Sequence, residues 1–327
     1  MKKILLPLLL ASLTLVACQK PNQESKEPCS SEETGFDRTS LSIVAPTGAP
    51  ALAFYNYAGL SNFETNSNPQ TGIIPQMSGE QKDVVVLPTN AGMNVIANQS
   101  SKAYKIAATL TFGNFYVVSM GNDTDNTMNA GDTILLFQKN NVPDKIFHYV
   151  YGDALDASIH YVSAVDKAAA AVISKTFVDE ESGTNMTPNY VMIAEPALTN
   201  ALSKNTEATV YSDLQSLYKE KSGGKEIFQA SVFVKASLEQ EKVTSFLSSL
   251  KEDVEGAIAD PSKLSEGMNK ASNAAELFGV APQMAENVLR KNNGMGLGFK
   301  YAKENKAAIE NFLTLFGIDG SNEALYY

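Results

Sequence analysis

Arginine, histidine, cysteine and tryptophan are nearly missing from this chain of 327 residues: it has two of each of the first three and no tryptophan. With only Arg38 and Arg290, the bidentate clamp that grips carboxylate, sulfonate or phosphate has almost no guanidinium to draw on. A strongly anionic ligand would have to rely on lysines and helix N-termini. His148 sits among Phe147, Tyr149 and Tyr151 on a predicted helix, and His160 lies inside a short predicted strand. Neither has a partner at metal-ligand spacing, and neither reads as the oriented base that a hydrolytic nucleophile requires. The expectation is therefore a chain with no catalytic residue, no metal and no cofactor. Cys18 and Cys29 both lie near the N-terminus, which leaves no intramolecular disulfide framework for a folded body. Basic residues are outnumbered by acidic ones, 26 to 36, and the formal net charge of −10 makes nucleic acid a poor partner. No apolar run beyond the N-terminal segment approaches the roughly 20 residues that span a bilayer.

That N-terminal segment carries the first positive signal. Lys2 and Lys3 precede an apolar run at 4–16 that ends in Leu15, Val16, Ala17 and Cys18. A basic start, a short apolar stretch and small residues before a cysteine read as a secretory signal over 1–17 ending in a bacterial lipobox, with Cys18 as the acylated, palmitate-type N-terminus of the mature chain. The run is too short to cross a bilayer, so the protein is expected at the cell membrane by its lipid, on the extracytoplasmic face. Residues 18–40 are rich in Glu, Ser, Lys, Pro and Asn with Phe36 as the one large apolar side chain, and they read as a flexible tether.

From residue 41 onward strands alternate with helices. An apolar run at 41–45 meets a Pro-Thr-Gly-Ala-Pro turn at 46–50, with helical character at 51–59. The run at 83–87, four consecutive apolar residues after Asp83, suits a strand buried on both faces, and 88–90 then supply helix-starting residues. Residues 104–120 read as two strands around Phe112, Gly113 and Asn114. Three more βα units follow, with strands at 133–137, 159–162 and 190–194; in the last, Glu195 suits the positive end of a helix opening on Pro196. A strand at 229–235 precedes helices at 239–260, 262–278, 281–291 and 301–316, with a glycine-rich loop at 294–298. The pattern predicts an α/β fold of two doubly wound lobes with a ligand cleft between them and a helical C-terminal tail. Lobe 1 is expected over 41–125 and 231–327, lobe 2 over 126–230, with crossings near 120–132 and 225–235. Tyr55, Tyr57, Phe112, Phe115, Tyr116, Phe137 and Phe228 flank the turns expected at the cleft, and jointly they favour a neutral or cationic ring-containing ligand.

The lipobox together with Ile-Val-Ala-Pro-Thr-Gly-Ala-Pro-Ala at 43–51, Asp-Val-Val-Val-Leu-Pro-Thr-Asn-Ala-Gly at 83–92, Phe-Gly-Asn-Phe-Tyr-Val-Val-Ser at 112–119 and Ala-Glu-Pro at 194–196 resembles the substrate-binding lipoproteins of ABC importers, nearest to the thiamine-precursor, nitrate, sulfonate and taurine group. The resemblance implies the type II periplasmic-binding architecture, closing on a small molecule for delivery to ABC permease subunits. Carried over by match, the ligand-binding positions are Thr47, Gly48 and Ala49; Thr89, Asn90 and Gly92; Phe112, Gly113 and Asn114; and, from the second lobe, Gln138, Ser163 and Glu195. The arginine that anion-binding members often use is missing, and residues 63–79 are richer in Asn and Pro than the family's second strand. A thiamine-precursor-like pyrimidine is the favoured ligand class. The resemblance also reaches pyrimidine-forming synthases on the same fold, and a surface adhesin lipoprotein is the third reading; export and the lack of cysteine in the body favour the receptor.

Overall fold

The computed structural model describes residues 35–98, 102–123, 125, 127–152, 158–291 and 294–327. The expected leader at 1–17, Cys18 with its lipid, Cys29 and most of the tether lie outside the described residues. In chain order the body runs β1 Ile43–Pro46, α1 Ala49–Leu52, β2 Phe63–Asn66, α2 Pro69–Gly72, α3 Ile74–Ser78, β3 Val84–Pro88, α4 Thr89–Asn98 and β4 Tyr104–Thr111. It continues with β5 Phe115–Ser119, β6 Thr133–Phe137, α5 Val142–Tyr151, β7 Ser158–Val162, α6 Val165–Ser174, β8 Phe177–Val178, β9 Asn185–Met186, β10 Tyr190–Ala194, α7 Ala197–Lys204, β11 Thr209–Asp213 and α8 Leu214–Lys221. The last part is β12 Ala230–Lys235, α9 Gln240–Ala259, α10 Ser262–Met268, α11 Ala274–Phe278, α12 Pro282–Arg290, β13 Leu297–Tyr301 and α13 Lys306–Leu313.

Two mixed sheets result, of order β13-β4-β12-β3-β1-β2 and β11-β5-β10-β6-β7. In the first, β1 runs parallel to β2 and β3, and β12 enters antiparallel between β3 and β4. In the second, β6 is parallel to β7 and β10, while β5 is antiparallel to β10 and β11. Val84, Val85, Val86 and Leu87 are fully buried, as a strand covered on both faces requires. One face of the first sheet packs on Val243, Phe246, Leu247, Leu250 and Val254 of α9, whose spacing is the helical stripe visible in the sequence. On the other face Val85 and Leu87 join Met93 and Ile96 of α4 in a core continuous with that of the second sheet.

Three segments differ from expectation. Phe115–Ser119, assigned above to lobe 1, is hydrogen-bonded into the second sheet. The first crossing between sheets is thus the turn at 112–114, earlier than the expected 120–132, because a glycine turn with no polar run can still pass a chain from one sheet to the next. The return crossing lies at 227–229, within its expected range, where Gln229 N–H donates to the Thr111 carbonyl at 2.9 Å and its own carbonyl accepts from Thr89 N–H at 3.0 Å. Residues 36–40 are not free tether: Phe36 packs against Phe246 with ring centroids 5.7 Å apart and the rings tilted by 59°. Arg38 pairs with Asp253 at 2.9 Å and lies 5.5 Å from the Tyr57 ring centre. In the glycine-rich loop, Leu297 opens β13, an edge strand of the first sheet paired with β4. The Asn/Pro-rich stretch still yields β2 parallel to β1, and Asn68 caps α2 by accepting from the Gln70 and Thr71 amides.

Candidate functional site

Between the strand ends of the two sheets lies a cavity of about 300 Å³. From the first sheet, β1 ends at Pro46 and the chain turns through Thr47, Gly48 and Ala49 into α1; all three residues line the cavity. Gly48 has φ 93°, a backbone state that a side chain disfavours, so the turn that exposes this stretch of backbone depends on glycine. From the second sheet, Asn114, Phe115, Phe137, Gln138 and Glu195 line the opposite side. Phe137 ends β6 and Phe115 opens β5, and their rings form a wall at 6.2 Å centroid separation. The Gln215 side-chain oxygen accepts the Phe115 N–H, which ties that wall to α8.

Asn114 is 2% exposed, and its Nδ2 donates to the Glu195 carbonyl at 2.6 Å while its own carbonyl accepts Glu195 N–H at 2.9 Å. These bonds fix the amide's orientation and leave Oδ1 buried with no partner. Gln229, another residue of the lining, likewise has a buried Oε1 with no partner. The Glu195 carboxylate is engaged locally: Thr199 N–H donates to one oxygen at 3.0 Å and the Thr199 hydroxyl to the other at 2.7 Å. It serves the first turn of α7 as the sequence suggests. Desolvation pushes its pKa above the ordinary carboxylate value, with the Thr199 bonds and the Lys291 charge acting in the opposite direction. Gln138 holds φ 57°, an uncommon state for a residue with a side chain, in the turn where its N–H meets the Val162 carbonyl at 2.9 Å.

Of the twelve expected positions, Thr47, Gly48, Ala49, Asn114, Gln138 and Glu195 converge on this cavity. The others go elsewhere. Thr89 is fully buried, its hydroxyl 2.7 Å from Ser231 Oγ beneath β12. At Gly92 an added Cβ would stand 2.2 Å from the Phe233 ring, so this glycine serves the packing of α4 on the sheet. Phe112 stacks edge-on against Phe228 and lies under Lys300, and Gly113 forms the crossing turn with φ 98°. Asn90 borders a separate open recess and reaches Asn141 Oδ1 at 3.3 Å. Ser163 sits on another recess, beside Gln138, and bonds Glu180 at 3.1 Å. Among the aromatics expected at the cleft only Phe115 and Phe137 reach the lining; Tyr55, Tyr57 and Phe228 are core residues.

Sequence reasoning missed Asp166 at the start of α6, Glu276 on α11, Gln229 in the return crossing and the prolines of the wall, among them Pro69, Pro88 and Pro143. The prolines that follow strands were the available signal. Among the described residues no lysine, arginine or histidine lines the cavity, and the charged ones that do, Asp166, Glu195 and Glu276, are all acidic. Among the described residues no group of three His, Cys, Asp or Glu side chains is placed to hold a metal ion, and no helix is long and apolar enough to cross a membrane.

No protein-family model matches the chain, and no curated protein matches it in sequence. Solved structures do. An ABC transporter structure from Parabacteroides distasonis is 18% identical with a TM-score of 0.66, over 88% of this chain and 99% of the other. The periplasmic aliphatic sulphonate binding protein SsuA of Escherichia coli is 11% identical with a TM-score of 0.58, over 84% and 85%. The desulfurization enzyme DszB is 11% identical with a TM-score of 0.53, over 86% and 94%. At such identities the likeness is one of fold: the chain has the two-sheet α/β architecture of periplasmic solute-binding proteins.

Proposed function

We infer that this chain is an extracytoplasmic solute receptor, lipid-anchored through Cys18, that binds a small molecule between its lobes and delivers it to an ABC import permease. The observation that carries this reading is the cavity between the two sheets, within the range of small-molecule sites and walled by phenylalanine and proline. Thr47, Gly48, Ala49, Asn114, Gln138 and Glu195 are the proposed contacts, the first three by backbone groups and the rest by side chain or local framing. The ligand class is neutral or cationic and ring-containing, such as a thiamine-precursor-like pyrimidine. A lining with no basic side chain among the described residues would meet a sulfonate or nitrate with repulsion and no guanidinium clamp. An enzyme on the same fold is the alternative that DszB keeps open, but among the described residues no side chain of the cavity wall supplies a nucleophile paired with an oriented base.

Thermal-shift measurements across nitrate, taurine, alkyl sulfonates, aminopyrimidines, thiamine and riboflavin test the proposal. Stabilisation by the aminopyrimidines or thiamine is expected. A shift confined to nitrate and the sulfonates would overturn the ligand class and leave the receptor standing. Turnover of a stabilising compound on incubation would favour the enzyme.

A further inference from the structure

We propose that Ser158, His160 and Asp179 form a second centre on this chain, outside the cavity, that hydrolyses small carboxylic esters through an acyl-serine. β7 is the outer strand of the second sheet, and alternation along a strand puts Ser158 and His160 on one face. Ser158 Oγ lies 2.8 Å from His160 Nε2, and His160 Nδ1 lies 3.2 Å from Asp179 Oδ1. Nucleophile, base and carboxylate in that order are the geometry by which such a relay is recognised, whatever the sequence positions. Burial is graded in the same order: Ser158 is exposed, the His160 side chain is 19% exposed and that of Asp179 7%. The centre stands at the start of β7, whereas the cavity lies toward the other end, where Val162 pairs with Phe137.

Asp179 is held independently of the histidine. Its N–H donates to the Thr184 carbonyl at 2.9 Å and its own carbonyl accepts Gly183 N–H at 2.8 Å, which fixes the turn between β8 and β9. The Ser182 hydroxyl and N–H donate to its Oδ2 at 2.6 and 2.9 Å and hold the carboxyl below the ordinary carboxylate range. Oδ1 is thus a carboxylate oxygen facing Nδ1, and Asp179 is a positioning residue. A proton on Nδ1 leaves Nε2 with a lone pair for the Ser158 hydroxyl. The Phe177 ring, its centroid 5.8 Å from that of His160, backs the imidazole. Ser158 N–H donates to the Asp132 carbonyl at 2.8 Å on the paired side of β7, so the next amide, that of Ile159, faces the outer side of the sheet and supplies a donor beside the hydroxyl for an oxyanion. In the reaction Oγ bonds to the acyl carbon and its proton passes to Nε2. The ester C–O bond breaks as that proton moves to the departing alcohol. Water then adds to the acyl-serine, giving its proton to the same nitrogen, and the carboxylic acid leaves as Ser158 regains its hydrogen. An exposed nucleophile on a sheet edge suits a short acyl group with a good leaving group.

The experiment incubates the full-length protein with a fluorophosphonate, which phosphonylates activated serines, and maps the labelled peptide by mass spectrometry; p-nitrophenyl acetate reads turnover. The label is expected on Ser158, with acetate released faster than by Ser158→Ala, a variant at an exposed position that should fold normally. His160→Ala should slow labelling by about a hundredfold, the scale of a lost general base, and added imidazole should restore part of it. Asp179→Asn should slow labelling and also move the ¹⁵N signals of the neutral His160 ring from the Nδ1–H tautomer toward the Nε2–H form, a change that lost packing alone would not produce. No label on Ser158, or labelling of Ser158 at the parent's rate in His160→Ala, would overturn the proposal. The response of Ser158→Ala to the thermal-shift panel should equal the parent's, so this centre and the receptor reading stand or fall separately.

Discussion

Glu195 shows how one side chain at a cavity can be structural and still govern its electrostatics. Its carboxylate accepts two bonds from Thr199, yet desolvation outweighs them and its pKa is raised. As pH rises from the ordinary carboxylate range, the unfolded chain loses this proton first, and the folded state holds it longer. Ionisation therefore removes stability as pH climbs through that window. Glu195→Gln keeps an acceptor for Thr199 and removes the desolvated charge. The variant should melt higher than the parent at pH 7, with the gap closing toward pH 4, as followed by circular dichroism. A variant less stable at both pH values would mean that the carboxylate's bonds outweigh its desolvation. Gln138 and Asn114 were legible as turn residues after apolar runs. Asp166 and Glu276 were not, because a carboxylate in a first helical turn has the same sequence signature whether it faces bulk water or a cavity.

At the scale of elements, strands buried on both faces and helices with a regular apolar stripe were readable, and β3 and α9 lie within about a residue of their predicted spans. The crossings and edges were harder to place. Whether β5 joins the first or second sheet depends on which partner receives its hydrogen bonds, and no local pattern encodes that choice. The segment before β1 failed for a related reason: its polar composition suggests disorder, while one aromatic and one arginine suffice to dock it on α9. Asp253 is 7% exposed, and burial raises its pKa although the Arg38 charge opposes that rise. Arg38 also donates to Ser249 Oγ at 2.9 Å, so it staples the segment at two points. Arg38→Ala leaves the Asp253 charge buried without its main counter-ion and should cost about 1–3 kcal/mol in urea unfolding at pH 7. Below the ordinary carboxylate range Asp253 is protonated in both states, and the loss should shrink there. An unchanged midpoint at pH 7 would return residues 36–40 to the status of tether.

Across the whole molecule, the two sheets are joined by two short passages, residues 112–114 and 227–229, which lie against each other through the bond from Gln229 N–H to the Thr111 carbonyl. Each passage is only a few residues long, and they run side by side, so rotation there reorients one sheet against the other, at the expense of the apolar contacts the two sheets share. Gly113, with φ 98°, lies in the first passage, and Gln229 in the second also borders the cavity. A ligand bridging the turn at 47–49 to Asn114 and Gln138 would thus act directly across the expected hinge. Contact between α4 and the loop before α5, through Asn90 and Asn141 at 3.3 Å, already links the lobes outside the cavity and limits how far they can open. Binding should therefore shrink the radius of gyration in solution scattering when the most stabilising compound of the thermal-shift panel is added at saturation. Asn90→Ala should widen the unliganded distribution and leave the liganded radius unchanged, because the link it removes is made without ligand. A radius that stays constant at saturation in both proteins would mean that the cavity is filled without closure, and the lobes would then have to be treated as one rigid body.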